Sequence, residues 1–244
     1  RVITGRKKYL GGFEVARVLP VAQRRLVGPF IFFDEMGPAR FAPGNGIDVR
    51  PHPHIGLATV TYLFEGEMDH RDSLGVFQTV YPGAVNWMTA GRGIVHSERT
   101  GAAARAAGFA LHGIQTWVAL PVSAEEDAPE FHHHKAAELP AFEQGGARLR
   151  VILGTAFGHA APVKVYSPIF YVHAEAPAGA AFDLDAEHED RAVYLVSGAA
   201  EIGGLRLEPG AMAVLNPGAP ARIEALEDSR LMLLGGARLP EGRH

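Results

Sequence analysis

No cysteine occurs anywhere in the chain, which removes disulfides, thiolate zinc sites and cysteine nucleophiles from consideration. A disulfide-free chain fits a reducing compartment, so the expected location is the cytoplasm. Basic residues never gather: the longest runs are Arg6-Lys7-Lys8 and Arg24-Arg25, and the formal net charge is −4. Phosphate-tracking contact needs a basic face, so direct nucleic-acid binding is not expected. No stretch approaches the roughly 20 consecutive apolar residues of a membrane-spanning helix. The opening residues are basic and polar, without the apolar core of a secretory signal. Helical periodicity is scarce as well.

What the sequence does have is turn chemistry. Gly (29) and Pro (17) supply almost a fifth of the 244 residues, a level that favours many short strands over long helices. Short apolar or alternating runs closed by Gly, Pro, Asn or Asp recur at Pro29-Phe33, Ala58-Phe64, Val85-Met88, Gln115-Leu120, Leu149-Leu153, Phe170-His173, Ala192-Val196, Ala211-Leu215 and Leu231-Leu234. Strands at near-regular spacing predict an all-β sandwich or barrel. Two segments echo each other. Thr61-Tyr62-Leu63-Phe64-Glu65-Gly66, followed by Tyr81-Pro82-Gly83-Ala84-Val85, matches Val193-Tyr194-Leu195-Val196-Ser197-Gly198, followed by Leu207 to Val214. A duplicated β unit is the economical reading. It gives two domains, 1–125 and 126–244, joined through the acidic, Ala-rich and His-rich stretch Pro121 to Pro140.

The densest chemical signal is Arg50-Pro51-His52-Pro53-His54. Residues two apart on a strand share a face, so His52 and His54 can present both imidazoles to one point. The spacing recurs at His96-Ser97-Glu98. If the two segments are neighbouring strands, three imidazoles and a carboxylate converge. That set suits a borderline divalent ion such as iron, manganese, nickel, cobalt, copper or zinc. Taken singly, His-X-His on a surface turn is ordinary polar loop; the pairing of both motifs makes ligation the stronger reading.

The stretch from His52 to Gly66 resembles the first cupin motif as pirins carry it, and Pro82 to Glu98 resembles the second. Val27 to Asp34, Met36-Gly37-Pro38, Leu120-Pro121, Pro129-Glu130 and the region from Val193 to Gly210 extend the likeness over nearly the whole chain. The resemblance implies a bicupin: two stacked jelly-roll type β-barrels, with one metal in the first. It implies Fe(II) as the expected ion, held by His52, His54, His96 and Glu98. Many cupins place a ligating Glu soon after His-X-His. Here that region reads Ile55-Gly56-Leu57-Ala58, leaving Glu98 as the carboxylate.

The second barrel offers only His188 in the corresponding region, read as a polar rim residue, and is expected to hold no metal. His132-His133-His134 reads as solvated linker, and His112 as a satisfied core residue. His70 is either a cavity or ligand-orienting residue or an exposed hairpin residue. Phe30, Phe32, Phe33, Trp87 and Met88 read as barrel core, some possible as walls of a pocket.

Bacterial pirin-like proteins are associated with quercetin 2,3-dioxygenase activity, so the resemblance implies an oxidoreductase opening a flavonol ring with dioxygen and releasing carbon monoxide. Glu98 would then act as ligand and as the base accepting the flavonol hydroxyl proton. The alternative it implies is an iron-dependent redox-sensing regulator that binds a protein partner without turnover. A non-redox cupin such as a sugar-phosphate isomerase is a weaker third reading.

Overall fold

The computed structural model describes residues 1–10 and 13–239. Almost every element is an antiparallel strand. In chain order the first twelve are β1 (Val2–Thr4), β2 (Arg6–Leu10), β3 (Phe13–Leu19), β4 (Phe30–Phe41), β5 (Asp48–His54), β6 (Leu57–Glu65), β7 (Met68–Asp72), β8 (Phe77–Val80), β9 (Val85–Thr89), β10 (Ile94–Arg99), β11 (Phe109–Ala119) and β12 (Glu130–His134). One six-residue α-helix, Ala102–Ala107, lies between β10 and β11. Among the described residues no helix is long and apolar enough to cross a membrane.

The chain separates into two compact units. The first comprises Arg6–Arg17 and Ile31–Glu138, the second Arg1–Gly5, Val18–Phe30 and Leu139–His244. In the first unit a seven-stranded sheet runs β12-β9-β6-β11-β4-β3-β2 and a four-stranded sheet runs β5-β10-β7-β8. Phe13, Val15, Met36, Ile47, Leu63, Met68, Val80, Ala84 and Leu111 form the apolar core of this barrel. The alternation that announces these strands in sequence also fills the barrel, because every second side chain faces inward.

The second unit repeats the plan. Its larger sheet takes in Ala147–Ala156, Ile169–Ala176, Asp190–Ser197 and Ser229–Gly236, with β1 added at one edge, where Val2 pairs with Ala213. The smaller contains Ala181–Leu184, Ala221–Ala225, Ala200–Ile202 and Leu205–Leu207. Leu149, Val151, Phe170, Val172, Phe182, Val193, Leu195 and Leu233 pack together inside it.

The internal echo read from sequence exists in the backbone. Gly66 and Gly198 both turn with φ of 86°, and Gly83 and Gly210 with φ of 78° and 80°. At Gly66 the requirement is also steric, since a Cβ would lie 2.2 Å from the carbonyl oxygen of Ala110.

The division differs from a single cut at 125/126 in two respects. Glu130–His134 is no linker: it forms β12, the edge strand of the first barrel, paired with β9 from Glu130 opposite Thr89 to His134 opposite Val85. Three consecutive histidines hide the period of two that would mark it. Each has a partner: His132 meets Glu130 at 3.0 Å, His133 meets Asn86 at 2.7 Å and His134 meets Glu138 at 3.4 Å. At the other end, β1 and Val18–Phe30 belong with the second unit.

Candidate metal centre

β5 and β10 are neighbouring antiparallel strands, with His52 opposite His96 and His54 opposite Ile94. β5 is the edge of its sheet, which tolerates Pro51 and Pro53, residues that cannot donate to a ladder. The prolines occupy one face and the histidines the other. Past His96 the register shifts, Glu98 pairing with Val49. The extra residue on β5 makes a bulge, the usual device for re-aiming side chains beside a site.

Ligand atoms of His52, His54 and His96 all lie within 4.8 Å of one another. Ring centroids stand 5.0 Å apart for His52 and His54, 4.4 Å for His52 and His96, and 4.9 Å for His54 and His96. Small side-chain adjustments bring three such nitrogens to the roughly 2.1 Å of a metal–imidazole bond. Burial and the neighbouring imidazoles push His54 down to about 4 and His96 down to about 2. Both rings are therefore neutral at pH 7, as ligation requires. Nδ1 of His52 lies 2.9 Å from the Arg50 carbonyl; donating there leaves Nε2 with its lone pair. His96 Nε2 is buried without a hydrogen-bond partner. An orphaned, neutral imidazole nitrogen among two others is the donor set of a transition-metal site, so these residues fit such an ion.

Glu98 stands apart from that trio. Its carboxylate is outside the set meeting within 4.8 Å, and Gln115 Nε2 donates to its Oε1 at 2.6 Å. Burial raises its carboxyl above the ordinary range, while His52 and the Gln115 hydrogen bond act in the opposite direction.

Glu98 and His52 open onto a cavity of about 270 Å³. Its walls are Phe13, Val15, Phe32, Met36 and Trp117 among others, with Arg17, Asp34 and Gln115 as polar members. Phe32 and Trp117 are stacked at 4.1 Å, and the Arg17 guanidinium lies over the Phe32 ring, 4.4 Å from its centroid. Arg17 also clasps Asp34 through two hydrogen bonds of 2.9 and 2.8 Å. Of the aromatics read from sequence, Phe32 does wall the pocket. Trp87 is core, its Nε1 donating to Thr89 at 2.8 Å.

Sequence reasoning missed Arg17, Asp34, Gln115 and Trp117. The last two were within reach, being two apart on β11 and therefore on one face. His70 is buried beside the centre, its ring 5.2 Å from His96 and stacked on Phe131 at 4.4 Å. His112 is a satisfied core residue, 2.7 Å from Glu35. His188 is not a rim residue: it is buried, stacks on Phe170 at 4.8 Å and reaches the Thr155 carbonyl at 3.2 Å.

Two antiparallel barrels from a duplicated strand pattern, one with an inward histidine trio, define a bicupin. Residues 12–118 match the profile of the pirin family, and residues 171–244 that of the pirin C-terminal cupin domain. A pirin-like protein of Caulobacter vibrioides is 53% identical over 238 residues, 96% of this chain and 82% of its own. The chain belongs to the pirin family. The crystal structure of quercetin 2,3-dioxygenase from Acinetobacter baumannii matches with a TM-score of 0.92 and 34% identity, covering 98% of this chain and 79% of that one. A bacterial pirin from Escherichia coli, solved in complex with nickel(II), matches with a TM-score of 0.77 and 20% identity over 98% of this chain and 99% of that one. At that identity the likeness shows the fold alone.

Proposed function

We propose that this chain is a metal-dependent dioxygenase acting on flavonols or closely similar phenols. One observation carries the reading: three converging imidazoles, those of His54 and His96 buried, beside a carboxylate that opens into an aromatic-walled cavity. The quercetin 2,3-dioxygenase from Acinetobacter baumannii, which shares this fold at 34% identity, supports it.

In this proposal His52, His54 and His96 hold one divalent ion, Fe(II) being the expected species, with Glu98 completing the set. A transition ion bound there supplies Lewis-acid and one-electron chemistry toward a phenolic oxygen and dioxygen. The chain's own residues supply the rest. Glu98, made more basic by burial, accepts the proton of the hydroxyl next to the flavonol carbonyl. Gln115 fixes the Glu98 carboxylate, and the stacked Phe32 and Trp117 offer a flat face against which a planar ring lies. At about 270 Å³ the cavity sits just below the common range for ligand sites, roughly 300–1,000 Å³.

The test is reconstitution under anaerobic conditions with Fe(II), Mn(II), Ni(II), Co(II) or Cu(II), followed by quercetin in air. Loss of flavonol absorbance matched by oxygen uptake, and absent in His54→Ala and Glu98→Ala, is the expected result. Spectral silence with every metal overturns the enzymatic reading.

A second reading, a regulator that presents the centre to a protein partner, is favoured by the outer face. His54 also lines a shallow surface cleft of about 340 Å³ with Pro53, Ile55, Ser73, Gly93, Ile94 and Val95. Of these, Ile55 and Val95 are exposed, at 69% and 42%.

A further inference from the structure

A chain of two hydrogen bonds runs from His96 away from the proposed metal position. His96 Nδ1 lies 3.3 Å from His70 Nδ1, and His70 Nε2 lies 2.8 Å from Asp72 Oδ2. All three residues are on adjacent strands, β10 and β7, where His96 pairs with Asp72 and Glu98 with His70. The His70 and Asp72 side chains are 7% and 0% exposed, so water does not compete for these bonds.

From these contacts the geometry points to Asp72 and His70 as positioning residues that choose the tautomer of His96. The logic follows from donor counting. A carboxylate can only accept, so the proton of His70 resides on Nε2. Its Nδ1 is then a bare acceptor, and the proton of His96 must sit on Nδ1. His96 Nε2 is left with its lone pair, and that is the buried nitrogen without a partner. Ligating histidines commonly donate their other nitrogen directly to a carboxylate or carbonyl; here a second imidazole is interposed. Asp72 is itself locked, because its Oδ1 accepts the backbone N–H groups of Leu74 at 2.9 Å and Val76 at 3.2 Å. The turn after β7 thus fixes which carboxylate oxygen meets His70.

That lock makes Asp72→Asn an inverting substitution of unchanged shape. The two backbone donors hold the amide oxygen on their side and turn the NH₂ toward His70. His70 must then accept at Nε2 and carry its proton on Nδ1. His96 becomes the acceptor at Nδ1, and its proton moves to Nε2, where it blocks the metal.

The inference rests on the reading of His96 as a ligand, and the experiment separates the two. Ring tautomers are read by long-range ¹H–¹⁵N NMR on the metal-free protein with labelled histidine, and affinity by Co(II) titration against a competing chelator. In the wild type His70 is expected to carry its proton on Nε2 and His96 on Nδ1. In Asp72→Asn both reverse, and Co(II) binds about 10–100-fold more weakly with the thermal midpoint retained. Should that variant misfold, His70→Asn, which keeps an acceptor near the Nδ1 position, is expected to bind Co(II) nearly as the wild type does, and His70→Leu to bind it weakly. Wild-type affinity in both Asp72→Asn and His70→Leu, or a wild-type His96 protonated on Nε2, overturns the proposal. A wild-type protein that takes up no Co(II) sinks the ligand reading, while the tautomers still decide whether the chain of bonds sets His96.

Discussion

His52 and His96 face each other across the β5–β10 ladder, paired residue to residue with ring centroids 4.4 Å apart. That juxtaposition places donors from two rigid strands at one point, so neither ring needs to be recruited from a loop when an ion binds. Removing either should cost more than the roughly 10–100-fold attached to losing an outer hydrogen-bond partner. His52→Ala and His96→Ala are each expected to emerge from metal-free refolding without measurable Co(II) uptake at concentrations that saturate the wild type. Retained uptake in both would mean that the trio is not the binding site.

Glu98 separates ligation from proton transfer. Glu98→Gln keeps the shape and leaves an oxygen able to take the Gln115 hydrogen bond, but removes the basic carboxylate. Positioned general bases contribute about 10²–10⁴-fold. The variant should therefore hold its metal more weakly, through the three histidines, and at saturating metal lose flavonol turnover by that order, read as kcat per bound ion in an oxygen-uptake assay. Loss of metal with turnover per bound ion unchanged would make Glu98 a ligand and nothing more.

Strand positions and the three histidines that converge could be read from sequence because both depend on a period of two, which local sequence carries. Gly66 and Gly198 advertised the duplication for the same reason. What could not be read was register between distant strands. Arg17 on β3, Asp34 on β4 and Trp117 on β11 meet only because those strands are consecutive in the seven-stranded sheet. His188 failed for another reason: its polarity suggested a rim, yet stacking on Phe170 and a carbonyl partner satisfy it inside. The His132–His134 run looked like linker because uniform side chains erase alternation.

The cavity wall should govern affinity more than chemistry. Trp117 stacks on Phe32 at 4.1 Å and stands 5.0 Å from the His54 ring. An aromatic pair contributes roughly 0.5–1.5 kcal/mol beyond burial, which corresponds to about a 2–12-fold change. Trp117→Leu is expected to raise KM for quercetin by that much while kcat changes little. A fall in kcat at constant KM would place Trp117 in the reaction itself.

Acid should weaken the metal-free barrel from near-neutral pH downward. His54 and His96 have folded-state values of about 4 and about 2, below the ordinary 6.5 of an unfolded chain. Between these limits the unfolded chain binds protons that the folded one refuses, so stability is full above about pH 6.5 and falls as pH drops. The slope is at most about 1.4 kcal/mol per pH unit for each ring, and His54, shifted less than His96, contributes over the narrower span of pH. Urea unfolding at pH 7, 6 and 5 measures it. A midpoint constant over that range would mean that these rings are protonated in the folded protein.

Two glycines of nearly equal backbone geometry give a calibrated pair for the fold. Gly66 and Gly75 have φ of 86° and 84°. A Cβ at Gly66 would lie 2.2 Å from the Ala110 carbonyl oxygen, whereas at Gly75 nothing lies within 4 Å. Gly75→Ala carries only the left-handed backbone cost, roughly 1–2 kcal/mol. Gly66→Ala adds a backbone collision between the end of β6 and the start of β11, which the β6–β11 pairing cannot relieve without moving His112 opposite Glu65. Its loss of stability by chemical denaturation should exceed that of Gly75→Ala by several kcal/mol, in the range reserved for overpacked or strained sites. Equal losses would show that the hairpin shifts freely there, and that the turn closing the first half of the duplicated pattern is not sterically fixed.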